Sequence, residues 1–159
     1  MAEWNHLFSG RGRIMGYIEA VCISREKGEL KLAVQEIALK ADWGIDGDAH
    51  AGDWHRQVSL LAGESVDRMR LKMPELAHGM FAENMVTRGI DLSALKVGDR
   101  LEIAGNAVLE ITQIGKECHN GACPIQVATG ECIMPTEGLF CRVKRGGTVR
   151  PGMAVGLMA

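Results

Sequence analysis

Glycine punctuates this chain. Its 159 residues hold 20 glycines and few aromatics, a mix that suits many short strands joined by tight turns better than a helical bundle. Hydrophobic residues at 47% and charged residues at 24% are ordinary globular values and exclude disorder, and the length is that of one domain with a sizeable core. The net charge is −2, with both signs interspersed, so the basic stripe of a nucleic-acid-binding protein is missing. A small acidic or phosphorylated ligand stays open, because a local pocket needs only two or three cations.

The first strand is read over 14–24, where apolar residues alternate. Residues 1–13 form a short extension ahead of it, and 14–158 form a single domain. Gly28 supplies a turn, and "LAVQEIALKADWG" continues as a strand pair or an edge segment. "VSLLA" is β-compatible. "GESVDRMRLK" reads as a helix with Val66, Met69 and Met73 on one face, stopping near Pro74. "ENMVTRG", "GDRLEIAG" and "AVLEITQIG" are further strands. In the last of these the two faces are not cleanly separated, which predicts partial burial on both. "GLFCRVKRGGTVRPGMAVGLM" reads as a closing hairpin with Gly146-Gly147 as its turn. The predicted architecture is mainly β, a barrel with one or two short helices.

No apolar run approaches the roughly 18 residues of a membrane helix, and the N-terminus lacks the pattern of a signal peptide. The expectation is a cytoplasmic protein that meets no membrane and keeps its thiols reduced. An odd number of cysteines, five, argues against a disulfide framework.

Four of them, Cys118, Cys123, Cys132 and Cys141, fall in the C-terminal third. Only the first of their three gaps falls within the range of the close pairs of structural zinc sites. Cys141 shares a strand face with Leu139 and Val143 and reads as core; Cys22 lies inside an apolar strand and reads the same way. Cys118 and Cys123 instead flank the polar turn "HNGA", beside Lys116 and His119, a setting that lowers a thiol pKa. Pro124 can begin a helix whose N-terminus would stabilise a thiolate. These residues favour chemistry at Cys123, with a disulfide-forming pair as the remaining reading.

The second unusual stretch is "DGDAHAGDWHRQVSLL", with Asp46, Asp48, His50, Asp53, His55 and Arg56 crowded together. One reading is a solvated loop that uses Asp and Gly for its turns. Calcium-loop and zinc-protease frames both fit poorly. Two imidazoles and a guanidinium just before a buried strand make an anion or phosphate cradle the functional alternative.

Together, "GDAHAGDWHRQVSLL", "FAENMVTRGIDLSALKVGDRLEIAGNAVLEITQIGKECH", "GECIMPTEGLFCRV" and "GGTVRPGMAV" resemble the MOSC domain, the C-terminal domain of molybdenum cofactor sulfurases, which also has small standalone members. The resemblance runs from about Ile14 to Leu157. It implies a MOSC-type β-barrel and a link to the molybdenum cofactor (molybdopterin), within a family also associated with pyridoxal phosphate. It further implies that a cysteine after the "EIT" strand binds molybdenum or carries sulfur to it. The matching position is Cys123, with Cys118 as the first of the pair, although four residues separate them here instead of two. His50, His55, Arg56 and Gln57 match a motif of the standalone members that lines the pocket. Asn84 matches another family position, and an amide tying down a turn is its alternative role.

The resemblance thus implies a cofactor-binding domain that carries sulfur or ligates molybdenum through a thiolate. No pyridoxal-phosphate lysine domain is read in the sequence, so the expectation is receipt, holding or hand-over of sulfur and not a complete sulfurase reaction. The first alternative is a molybdenum-dependent reductase of N-hydroxylated bases or amidoximes, served by a separate reductase protein. The second is a non-catalytic cofactor-binding or zinc-stabilised module, working beside a cofactor-biosynthesis protein.

Overall fold

The computed structural model describes residues 15–117 and 132–158. Cys118, Cys123 and the N-terminal extension lie outside these residues. The elements run β1 (Met15–Ile23), β2 (Leu32–Val34), β3 (Ile37–Lys40), β4 (Gly44–Ile45), β5 (Val58–Ala62), α1 (Gly63–Arg70), β6 (Met85–Arg88), β7 (Arg100–Ile103), β8 (Ala107–Ile114), α2 (Met134–Glu137), β9 (Leu139–Arg145), β10 (Gly147–Val149) and β11 (Ala154–Leu157). Seven strands close a barrel in the order β1-β11-β7-β8-β9-β5-β6 and back to β1. The mainly β architecture with short helices is therefore as the sequence predicts.

Within the ring only β5 and β6 are parallel, and a parallel pair needs a long crossover. Here α1 and the residues up to Ala82 provide it. The barrel interior is filled, among the described residues, by aliphatic side chains, Met85 and Cys141, with no aromatic ring, which is how an aromatic-poor chain fills a small barrel. β5 buries both faces. Val58 and Leu60 point into the barrel, while Leu61 packs outward beneath α1 and α2 with Val66, Met69, Phe81, Ile133, Met134 and Phe140. α1 buries Val66 and Met69 on one face and carries Arg68 and Arg70 in its last turn, where cations complement the helix dipole. Met73 lies past the helix end but still packs against that cluster. No helix among the described residues is long and apolar enough to cross a membrane.

One local expectation holds and another does not. β8 is buried on both faces as the sequence predicts, with Val108 buried as well as the core residues Ala107, Leu109 and Ile111, and its pairing with β9 shifts register at Val108/Leu109 and Ile111/Gln113. The closing hairpin does not form: β9 pairs with β8 and β5, whereas β10 leaves the barrel to pair with β3. Gly146 and Gly147 are absent from the left-handed region, so they do not make the tight turn their sequence advertises. A side chain on Gly146 would sit 2.5 Å from the Leu39 carbonyl oxygen, so that glycine serves close approach to β3.

Candidate cationic site beside the barrel

The loop between β4 and β5 is an ordered structure built around Asp48. One carboxylate oxygen accepts from the Ser24 amide at 3.1 Å and from Lys31 Nζ at 2.7 Å; the other accepts from the His50 amide at 3.1 Å. The Ala49 amide donates to the Ser24 carbonyl at 2.8 Å, and Trp54 Nε1 donates to the His50 carbonyl at 2.8 Å. Gln57 is fully buried; its amide donates to the Gly52 carbonyl and accepts from the Val143 amide, each at 3.0 Å. The loop's polar side chains therefore satisfy its own backbone, as a buried connection requires.

This loop walls a cavity of about 240 Å³ lined by Lys27, His50, Trp54, Arg56, Ser59, Ala82, Asn84, Lys116, Met134 and Phe140. The residues come from the β1–β2 turn, the β4–β5 loop, β5, the entry to β6, the end of β8, α2 and β9. Lys27, Arg56 and Lys116 contribute cations, and among the described residues no carboxylate lines the cavity. Asp46 and Asp53 pair instead with Lys40 and Arg142 on the exposed surface. The Arg56 guanidinium sits 4.7 Å from the Trp54 ring centre and 5.5 Å from that of Phe140. Stacking of this kind holds a cation without consuming its N–H donors. Arg56 Nε is buried and has no hydrogen-bond partner among the described residues.

His50 is stacked on Trp54, with ring centres 6.4 Å apart, and its Nδ1 lies 2.9 Å from Lys31 Nζ. Burial first, then the Lys31 charge, holds its pKa down at about 4, against the opposing pull of Asp48. Its cavity neighbours Lys27 and Lys116 push the same way. His50 is therefore neutral at neutral pH. Between pH 6.5 and about 4 the unfolded chain binds a proton on this ring that the folded chain excludes, so stability is full above that window and falls as pH drops through it. With solvent screening the loss is on the order of 2 kcal/mol. Urea unfolding at the two ends of the window measures it, and His50→Asn, which keeps an acceptor for Lys31, flattens the dependence.

Of the residues singled out in the sequence, His50, Arg56 and Asn84 come together at this cavity. His55 and Gln57 do not line it. His55 is exposed, and its Nε2 donates to Gln113 Oε1 at 2.7 Å on β8. Asn84 has a structural task as well: Oδ1 accepts from the Ser59 amide and Nδ2 donates to the Cys22 carbonyl, both at 3.0 Å, tying β5, β6 and β1 together. Lys27, Lys31, Trp54 and Lys116 complete the arrangement and were not read as binding residues. Nothing in a turn such as "REKGEL" marks Lys27, because its role depends on a loop 23 or more positions away.

The described cysteines pack. Cys22 lies against Ala20 and Val86, and burial with the nearby Glu83 carboxyl pushes its thiol up to about 12. Cys141 lies inside the barrel, where burial pushes its thiol up still further. Cys132 packs beside the helix cluster. Among the described residues no group of His, Cys, Asp or Glu is arranged to hold a metal ion. A larger cavity of about 550 Å³ opens beside α1 and α2, with Glu64, Asp91 and Glu137 on an apolar floor. Its charge is opposite to that of the cationic cavity, and none of the residues singled out in the sequence lines it.

Solved structures share the fold. The YUAD protein from Bacillus subtilis superposes with a TM-score of 0.76 at 22% identity, covering 91% of this chain and 96% of that one. YiiM from Escherichia coli gives 0.61 at 19% identity, covering 90% and 70%. YiiM from Geobacillus stearothermophilus gives 0.60 at 15% identity, covering 92% and 75%. At these identities the likeness is one of fold. No curated protein matches the sequence significantly. The MOSC domain, in contrast, matches the sequence itself over residues 46–156, from the Asp48 loop through the barrel to β11. By that match, and with the barrel it requires, this chain belongs to the MOSC domain family.

Proposed function

We propose that this protein binds the molybdenum cofactor, holding the phosphate of the pterin in the cationic cavity and offering it a cysteine thiolate. The family is associated with this cofactor. The observation that carries the reading is Arg56, stacked against Trp54 and Phe140 with a buried Nε that has no partner among the described residues. A buried, unsatisfied guanidinium donor beside Lys27 and Lys116 calls for an anion with several acceptor oxygens. The cavity, at about 240 Å³, is smaller than the roughly 300–1,000 Å³ of sites that enclose a whole ligand, so it suits a phosphate end with the remainder projecting out.

Arg56 presents a planar fork of donors to phosphate oxygens, Lys27 and Lys116 neutralise its charge, and neutral His50 donates one N–H. Trp54, Met134 and Phe140 exclude water and so strengthen each of these contacts. When bound, the cofactor supplies a molybdenum centre able to accept a soft thiolate ligand or a sulfur atom. Cys123 is assigned that thiolate, with Cys118 assisting. Cys118 follows the cavity residue Lys116 by two positions in the sequence, and Lys116 and Met134 bracket both cysteines.

Anaerobic titration with molybdopterin cofactor tests the reading. Arg56→Gln weakens binding tenfold or more, the worth of lost charge-assisted hydrogen bonds at about 1.5–3 kcal/mol. Cys123→Ser retains phosphate-driven affinity but loses bound molybdenum. Failure of the wild type to bind, or equal binding by Arg56→Gln, rejects the reading.

A further inference from the structure

The geometry points to Lys31 as the positioning residue of the cavity: it locks His50 as a neutral donor whose single ring hydrogen is on Nε2, available to an oxyanion. This deepens the proposed function and rests on that reading only for the identity of the anion.

Lys31 is a buried lysine with a complete set of partners. Its Nζ lies 2.7 Å from Asp48 Oδ1, 3.1 Å from Ser24 Oγ and 2.9 Å from His50 Nδ1, and its side chain has no solvent exposure. An ammonium has three hydrogens and no acceptor, so three partners use all of it. One of the three is an imidazole nitrogen, which can meet an ammonium hydrogen only as an acceptor. Nδ1 is therefore unprotonated and the ring hydrogen is carried by Nε2. Lys31 does not line the cavity whereas His50 does, so the edge of the ring left for a ligand is the Nε2 edge.

The backbone around this lysine is held as firmly as its head. The Asp48 carboxylate also takes the amides of Ser24 and His50, so one side chain fixes the lysine, the residue before the β1–β2 turn and the histidine. The Lys31 amide donates to the Gly79 carbonyl at 3.1 Å. The groups around His50 are Lys31 and Asp48 on one side and Lys27 and Lys116 on the other, with the Trp54 ring stacked upon it. Three cations against one committed carboxylate oppose a second proton on the ring. His50 thus contributes direction to the site, and the charge that attracts an anion comes from Lys27, Arg56 and Lys116.

Full-length protein labelled with ¹⁵N in histidine reports both ring nitrogens directly. In the wild type His50 keeps an unprotonated Nδ1 and a protonated Nε2 from about pH 8 to about pH 5.5. In Lys31→Met its titration midpoint rises by at least about one pH unit toward the ordinary value. Lys31→Met/Asp48→Asn removes both buried charges and gives a smaller rise in the same direction, because the upward pull of Asp48 is lost with the larger downward push of Lys31, and it serves if the single variant folds poorly. Inorganic sulfate, whose charge is constant over this range, is the second probe. Its affinity for the wild type is flat with pH, while in Lys31→Met it strengthens about threefold or more toward the acid end as His50 becomes cationic. A wild-type His50 carrying its hydrogen on Nδ1, or a titration unmoved by both variants, overturns the proposal. If molybdopterin fails to bind while the Nε2–H form is intact, the cofactor reading falls and the Lys31 lock stands.

Discussion

Asp48→Ala lowers the free energy of unfolding by about 3–5 kcal/mol, the range expected when one partner of a buried ion pair is removed and the other charge is left uncompensated. The charge left behind is Lys31, whose side chain is wholly out of solvent. The Ser24 and His50 amides lose their acceptor in the same step. Urea unfolding gives the number, and two controls assign it. Asp46→Ala, in the same loop but exposed and paired with Lys40, changes stability by less than about 0.5 kcal/mol. Lys31→Met/Asp48→Asn recovers part of the loss, because the stranded charge is gone. A loss in Asp48→Ala no larger than in Asp46→Ala contradicts the account.

The second large effect is Gly79→Ala, which destabilises by about 3 kcal/mol. Its φ is +93°, and a Cβ there would stand 2.1 Å from the Lys31 carbonyl oxygen. The left-handed backbone costs a side chain about 1–2 kcal/mol, and displacing a packed backbone costs about 1–3 more. Gly28→Ala separates the two contributions: Gly28 has φ +85° but nothing within 4 Å of its Cβ position, so only the conformational part applies. Because the Gly79 clash falls on Lys31 itself, Gly79→Ala also moves the His50 titration toward its ordinary value, which Gly28→Ala does not.

Lys31 illustrates why part of the site was illegible. In "ELKLAV" the two leucines look like the inward residues, yet Leu30 is 50% and Leu32 72% exposed while Lys31 is 1% exposed. Alternation rules weigh each residue by its own hydropathy, and the burial of Lys31 is decided by Asp48, 17 positions later. His55 shows the converse. It stands five residues from His50 and belongs to the same run of titratable groups, but β5 begins three residues on, and the chain turns His55 out toward Gln113 on β8. Lys27 and Lys116, from distant turns, stand at the cavity with Arg56 instead.

The predominance of short strands, the amphipathic helix with Val66 and Met69 on one face, the inward face of Leu139, Cys141 and Val143, and the placing of His50 and Arg56 in one loop are properties of local pattern, so the sequence alone determined them. Local pattern suffices there because side-chain alternation and helix periodicity are set by the geometry of each element. Which sheet β10 joins, which charges meet at the cavity, and which lysine is buried were decided only by the closed barrel. Those outcomes depend on free energies of pairs widely separated along the chain. A buried charge, a glycine pressed against another strand's carbonyl, and an imidazole held to one tautomer are favourable only once the partner has been brought alongside.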